Sequence, residues 1–247
     1  MDLLAALQFL TILPIKRNFT SKQMGRATAF FPVVGLIIGA ILLGLRYVLD
    51  FLLPGGIVNA LLLAALVVLS GGLHLDGLGD TIDGLAGHRT PERRLEIMRD
   101  SRIGGIGAVG LFLFLIVEYV ALNSVPGNWM PFTLLLAPAI SRWAMVDSIF
   151  TYPYARPEGL GKAFKQGVGW IELLIASLVT LALVAILFQW AGLVILATVF
   201  IIINGAALYF KRQLSGLTGD IYGAINEIAL ITVLLTINVL AFKHWLL

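Results

Sequence analysis

Seven stretches of this chain stay apolar for about twenty residues at a time, long enough for a helix to cross the roughly 30 Å hydrocarbon core of a bilayer. They cover residues 30–49, 57–75, 104–122, 131–150, 171–189, 192–210 and 225–246. In lipid, backbone polar groups must be satisfied within helices or a closed barrel, and unbroken apolar runs of this length select helices. Composition agrees. Of the 247 residues 59% are hydrophobic and 13% are charged, with a mean hydropathy of +0.96, whereas a soluble domain carries roughly 25% charged residues. A soluble globular fold and a disordered chain are both excluded. The absence of cysteine rules out a disulfide framework, a thiolate metal centre and a cysteine nucleophile. The expected fold class is an all-α, polytopic integral membrane protein with about seven transmembrane helices.

Residues 171–210 as one straight helix would reach about 60 Å, twice the bilayer core, so a turn is expected around Gln189-Trp190-Ala191-Gly192. Residues 3–15 are too short to span and read as an N-terminal interfacial or re-entrant helix that stops at Pro14. A cleavable signal is not expected, because Asp2 stands where a positive region belongs and Lys16 and Arg17 follow the apolar stretch. With no internal repeat or low-complexity linker, residues 1–247 read as a single membrane-embedded domain. Gly35 and Gly39 form a small-residue face suited to helix contact. Such faces permit a homo-oligomer without requiring one.

The cations give an orientation. Fourteen of the seventeen Lys and Arg residues fall in the N-terminal arm and in the loops after the second, fourth and sixth apolar segments. Arg46 and Lys243 lie near the opposite edge, and Arg142 lies within the fourth segment. The positive-inside rule therefore places the N-terminus in the cytoplasm and the C-terminus outside. Trp129, Trp170, Trp190 and Trp245 fall at segment ends, as an aromatic belt requires. A cytoplasmic membrane location and no nucleic-acid partner are expected.

The chemistry concentrates in Gly71-Gly72-Leu73-His74-Leu75-Asp76-Gly77-Leu78-Gly79-Asp80-Thr81-Ile82-Asp83-Gly84-Leu85. On a helix Asp76, Asp80 and Asp83 fall within about 60° of arc and point one way. Three anions on one face repel, and the segment holds no lysine or arginine to neutralise them. A divalent cation would. Oxygen-only ligands favour Mg²⁺, with Mn²⁺ as the alternative, over zinc. The bland alternative is a solvated acidic helix end. Thr90 and Pro91 then open a short amphipathic helix over residues 91–99. The following segment, Arg99-Asp100-Ser101-Arg102-Ile103-Gly104-Gly105-Ile106-Gly107, offers Arg99 and Arg102 beside a glycine-rich helix start, a combination suited to phosphate. Membrane anchoring plus helix packing explains the same residues without a ligand.

A second acidic pair, Asp220 and Glu227, shares one face at the start of the last apolar segment. Glu227 is already intramembrane, which makes it a functional candidate. Both clusters fall on the cytoplasmic side and can share one metal-binding cleft. Arg142 is read as pairing with an intramembrane acid or reaching a substrate phosphate, with Asp147 as an equally good interfacial partner. The loop of residues 152–162, including Lys162, suits a nucleotide contact or a snorkelling interfacial loop equally well. His74 falls off the aspartate face and reads as a packed, hydrogen-bonded histidine. Glu118 has no evident partner in sequence.

Segments 8–14, 31–35, 72–85, 98–107, 141–145, 154–161 and 218–227 stand in the order typical of the cobalamin-5'-phosphate synthase family, also called adenosylcobinamide-GDP ribazoletransferases. The chain resembles that family over nearly its whole length. The His-Leu-Asp-Gly-Leu-x-Asp-x-x-Asp-Gly segment is specific, and Gly79, where alanine is expected, removes no acid. The resemblance implies a Mg²⁺-dependent transfer. Adenosylcobinamide-GDP and α-ribazole 5'-phosphate would give adenosylcobalamin 5'-phosphate and GMP at a bilayer surface. Composition and spacing alone reach only a cytoplasmic metal–phosphate site.

Within that reaction, Asp76, Asp80 and Asp83 are expected to be catalytic and to hold metal, with Asp220 and Glu227 closing the cage. Arg99, Arg102, Arg142 and Lys162 are expected to bind substrate phosphate. A carboxylate, Asp83 being one candidate, would take the proton of the attacking ribose hydroxyl. Enzymes that transfer phosphoalcohols from CDP-alcohols share the chemistry but not the motif, since Asp76-Gly77 is followed by Leu78-Gly79-Asp80. The rival reading is a secondary transporter with cation-coupling carboxylates. The acids lie mostly at one edge, and no symmetric pair of broken helices supports it.

Overall fold

The computed structural model describes residues 1–100 and 102–246; Ser101 of the glycine–arginine segment lies outside the described residues. The described chain is helical. Four short helices, α1 (Asp2–Leu10), α2 (Ser21–Ala27), α6 (Pro91–Ile97) and α9 (Leu160–Gly167), accompany the long apolar ones. The latter are α3 (Phe31–Leu49), α4 (Gly55–Leu69), α7 (Gly105–Asn123), α8 (Met130–Thr151), α10 (Trp170–Leu214) and α11 (Gly219–Phe242). The acidic motif forms its own helix, α5 (Leu73–Leu85). Among the described residues five helices are long and apolar enough to cross a membrane, and α4 with α5 forms a sixth, sharply bent candidate. The all-α polytopic expectation holds.

Each apolar run has a helix, but two differ from simple spans. α10 counts as one helix of 45 residues, yet Gln189 breaks it with φ 50° and ψ −130°. A side chain at Gly192 would run into the backbone carbonyl of Val184 at 2.6 Å. In a straight helix residues eight apart are about 12 Å apart along the axis. The chain therefore doubles back at the break, where the expected turn lies. The second run is shorter than expected. α4 stops at Leu69, and Gly71 and Gly72, both at positive φ, turn the chain by 87° into α5. Only glycine enters that region of φ without strain. The apolar run to residue 75 is thus a 15-residue helix plus the first turn of a second helix set at 87° to it.

α8 is the central post, buried along nearly its whole length. α3 lies on it closely: a Cβ at Gly35 would run into the Pro138 carbonyl, and one at Gly39 into the Leu134 carbonyl. The small-residue face is thus used within the chain and is not left for a second copy. The N-terminal helix is confirmed but ends at Leu10. Phe9 packs on Phe164 with ring centroids 4.4 Å apart, and Phe31 meets the same ring at 5.5 Å. This aromatic trio fastens α1, α3 and α9 together at one end of the bundle.

The principal neighbour of α5 is α11. A Cβ at Gly77 would stand 2.5 Å from the Asp220 carbonyl oxygen, so only glycine allows the two backbones to approach this far. That crossing brings the aspartate helix beside Asp220. Replacing Gly77 by Val should force α5 away from α11 and cost about 1–3 kcal/mol, as overpacking of tight contacts does. Thermal unfolding in detergent would read it as a lowered midpoint; an unchanged midpoint would show that the crossing tolerates a side chain.

Candidate active site

The acids of the motif are helical neighbours with unlike surroundings. Asp76 is exposed, and Asp80 and Asp83 are half-buried. Asp83 is committed to protein: its two oxygens accept the backbone N–H groups of Gly104 and Gly107, each at 2.7 Å. These donors belong to the start of α7, where N–H groups lack helical partners and the helix dipole favours an anion. Side chains at Gly104 or Gly107 would strike the Asp83 carboxylate. The glycine-rich helix start therefore receives an anion from within the chain, and these two N–H groups are not available to a phosphate as the sequence suggested.

Asp76 and Asp80 share a cavity of about 330 Å³ with Arg99, Asp100 and Ile103. Beside it, a cavity of about 310 Å³ brings Asp80 and Asp83 together with Arg89, Asp100 and Arg102. Arg102 is held by Asp100 at 2.8 Å on the exposed rim. The Arg99 and Arg89 side chains make no hydrogen bond or ion pair among the described residues, which leaves both ready for an incoming phosphate. The sequence reading overlooked Asp100, which borders both cavities with Asp80. It also overlooked Arg156 within the loop of residues 152–162. That guanidinium pairs with Asp220 at 2.7 Å and donates to the Met98 carbonyl at 3.4 Å. Asp220 further accepts from the Thr218 hydroxyl at 3.3 Å.

Three sequence candidates stand elsewhere. Glu227 lies two turns, about 10 Å, along α11 from Asp220, buried and accepting from the Asn226 side chain at 3.0 Å. Its charged neighbour is Arg142, which is 1% exposed and donates to the Ser141 hydroxyl at 3.0 Å. Glu118, also 1% exposed and with neither oxygen hydrogen-bonded among the described residues, joins them. Glu227 and Arg142 thus form an intramembrane charge cluster with Glu118, away from the aspartates, and the metal and phosphate roles expected of them are revised. Asp147, the alternative partner for Arg142, instead accepts from Asn204 at 3.1 Å. Lys162 donates to the Pro157 carbonyl and braces its own loop. His74 is buried as expected, but neither ring nitrogen has a hydrogen-bond partner among the described residues.

Mg²⁺ fits the aspartate face in a restricted form. Among the described residues no three His, Asp or Glu side chains gather into a ready-made metal cage. The five-acid cage is absent because Asp83 caps α7, Asp220 is held by Arg156 and Glu227 lies deep in the bundle. What remains is Asp76 with Asp80. Burial, and then the charges of Asp76 and Asp220, push the Asp80 carboxyl up to about 7 against the opposing pull of Arg156. Anionic crowding of that kind is relieved by a cation. Mg²⁺ is commonly held by one or two carboxylates, waters and substrate phosphates rather than an all-protein cage.

The model of the family described as cobalamin-5-phosphate synthase matches residues 2–238. Proteins named adenosylcobinamide-GDP ribazoletransferase are similar along nearly the whole chain. That of Geotalea daltonii is 39% identical over 94% of this chain and 94% of its own. That of Acetivibrio thermocellus is 40% identical over 89% and 90%, and that of Syntrophobacter fumaroxidans 42% identical over 90% and 92%. No solved structure matches.

Two outcomes test the division of labour. In the folded, chelator-treated protein Asp80 keeps its proton up to about pH 7, whereas the unfolded chain loses it near 4. Between those values the folded state binds more protons, so stability falls as pH rises through the window. Thermal midpoints should be lower at pH 8 than at pH 5, and Asp80→Asn should narrow that difference; an unaltered difference would refute the assignment. Asp83→Ala should lower stability by about 2 kcal/mol through loss of two charge-assisted hydrogen bonds, while Asp76→Ala, on an exposed side chain, should leave the midpoint in place.

Proposed function

The chain belongs to the cobalamin-5-phosphate synthase family, and from that premise we propose how its aspartate face serves the transfer of a ribazole unit. The reaction joins adenosylcobinamide-GDP to α-ribazole or its 5'-phosphate and releases GMP, a late step in making cobalamin. The protein is an enzyme with several membrane helices. The transporter alternative is set aside, since its relatives are transferases. The observation that carries the site assignment is the pair of cavities in which Asp76 and Asp80 meet Arg89, Arg99 and Arg102.

In this reading Arg99, with Arg89 and Arg102, receives the pyrophosphate of adenosylcobinamide-GDP through guanidinium forks matched to phosphate oxygens. Asp76 and Asp80 hold Mg²⁺, or Mn²⁺ in its place. When bound, the cation would neutralise charge on the departing GMP. A ribose hydroxyl of the ribazole forms a new bond to the phosphorus next to cobinamide as the bond from that phosphorus to the GMP oxygen breaks. The hydroxyl proton passes to a carboxylate of the Asp76–Asp80 pair. Asp83, with both oxygens accepting backbone N–H groups, positions α7 against α5 instead. The cation-rich loops support a cytoplasmic face for this site in the inner membrane.

The test is GMP release by the purified protein in detergent, supplied with both substrates and titrated with Mg²⁺. Asp76→Asn and Asp80→Asn should each slow release about a hundredfold or more, as removal of one preorganised electrostatic group does, without lowering the thermal midpoint. Near-normal turnover by Asp80→Asn would overturn the site.

A further inference from the structure

Asp76 borders a second cavity, on the opposite flank of α5 from the arginines. Its volume is about 190 Å³, and its walls include Phe9, Met145, Tyr154, Leu160 and Gly161, with Asp220 and Arg156 at one end. The chemistry differs from that of the other flank. There, three arginines meet aspartates. Here, aromatic and aliphatic side chains stand beside His74 and two carboxylates, and Arg156 is the only Lys or Arg among the described residues that line it. Its guanidinium is 12% exposed and its charge is already balanced by Asp220.

The Tyr154 ring is fixed in this wall. A side chain at Gly161 would strike its edge at 2.7 Å, and one at Gly159 would strike its hydroxyl at 2.8 Å, so the glycine loop leading into α9 lies directly on the ring. Leu217 pairs with this stretch, donating to the Pro153 carbonyl and accepting from the Ala155 N–H, each at 2.8 Å. Phe9, also in the wall, is held by tilted packing on Phe164 and by stacking on Phe31. Rigid rings facing a narrow space suit a flat aromatic guest. Of the cavity's two carboxylates Asp220 is engaged by Arg156 and Thr218, and Asp76 is shared with the arginine flank, so the Phe9, Tyr154 and Leu160 part of the wall offers a guanine few partners for its ring donors and acceptors.

We propose that this cavity is the acceptor subsite, taking the flat, weakly polar base of the ribazole between Phe9, Tyr154 and Leu160. The assignment rests on the transferase reading and adds to it a two-sided site. The pyrophosphate donor occupies the arginine flank, the aromatic ribonucleoside occupies the other, and the ribose hydroxyl meets the donor phosphorus over Asp76. Among the described residues Asp76 is the acid that borders the cavities on both flanks.

Leu160 offers the cleanest test. It is 68% exposed and opens α9, so an aspartate there sits at a helix N-terminus that favours it and leaves the bundle core untouched. In detergent, Leu160→Asp should raise KM for α-ribazole 5'-phosphate about tenfold, the effect of losing one apolar contact, and shift KM for adenosylcobinamide-GDP less than twofold. The thermal stabilisation that α-ribazole 5'-phosphate alone confers on the wild type should shrink in the variant, and that conferred by adenosylcobinamide-GDP should persist. Tyr154→Ala should act in the same direction. A variant whose donor KM rises while its ribazole KM stays put, or in which neither changes, overturns the subsite and leaves the transferase reading intact. A wild type that releases no GMP overturns that reading and the subsite with it.

Discussion

A bilayer core tolerates a helix only while its side chains are apolar; each ionised carboxylate carried into hydrocarbon costs several kcal/mol. The aspartate motif follows an apolar helix almost without a break, so the chain must change direction before Asp76. Gly71 and Gly72 provide the change, each at positive φ, and the 87° bend sends α5 out of the line of α4. The bend would be useless if α5 then swung free. Gly77 locks it on one side against the Asp220 backbone, and Asp83 locks it on the other against the first N–H groups of α7. Turn, crossing and cap together hold one short helix between α7 and α11, and the two flanks of the site are the grooves left on either side.

The same motif shows how burial and partner sort identical residues into different work. Asp83, with two backbone donors, is satisfied by the fold. Asp220, with Arg156 and Thr218, is satisfied by side chains from its own end of the molecule. Asp76 and Asp80 have no such partner among the described residues, and burial, followed by its acidic neighbours, keeps Asp80 from ionising until near neutrality. Unsatisfied charge next to open cavities is the condition in which an added ion or substrate gains most, because the protein has not already neutralised the site.

Much of this was legible in the sequence. Apolar run length specified the helices, and the excess length of residues 171–210 located the break at Gln189. Offsets of four and seven placed the three aspartates on one face, which the α5 helix bears out. The assignment of all five acids to one cage was not legible, because helical spacing says which way a side chain points and nothing about what meets it there. Asp83 and Asp76 share a face, yet one faces the start of α7 and the other a cavity. Arg156 was hidden for the same reason: its partner Asp220 is 64 positions away, and no local pattern links them.

Glu227 carries the point furthest. Sequence made it a companion of Asp220 because residues seven apart share a helix face. On α11 that face passes from the aqueous edge at Asp220 into the bundle interior within two turns, and depth separates what angle unites. At that depth Glu227 lies near Arg142 of α8 and Glu118 of α7, so three helices each contribute one ionisable side chain to the same buried region. Removing one member of such a group strands the others in low dielectric, a loss larger than any gain the intact cluster provides. The cluster therefore constrains how α7, α8 and α11 can slide against one another. Those are the helices that also carry the Asp83 donors, the wall residue Met145 and Asp220, so this buried group and the surroundings of the aspartates are built on the same three elements.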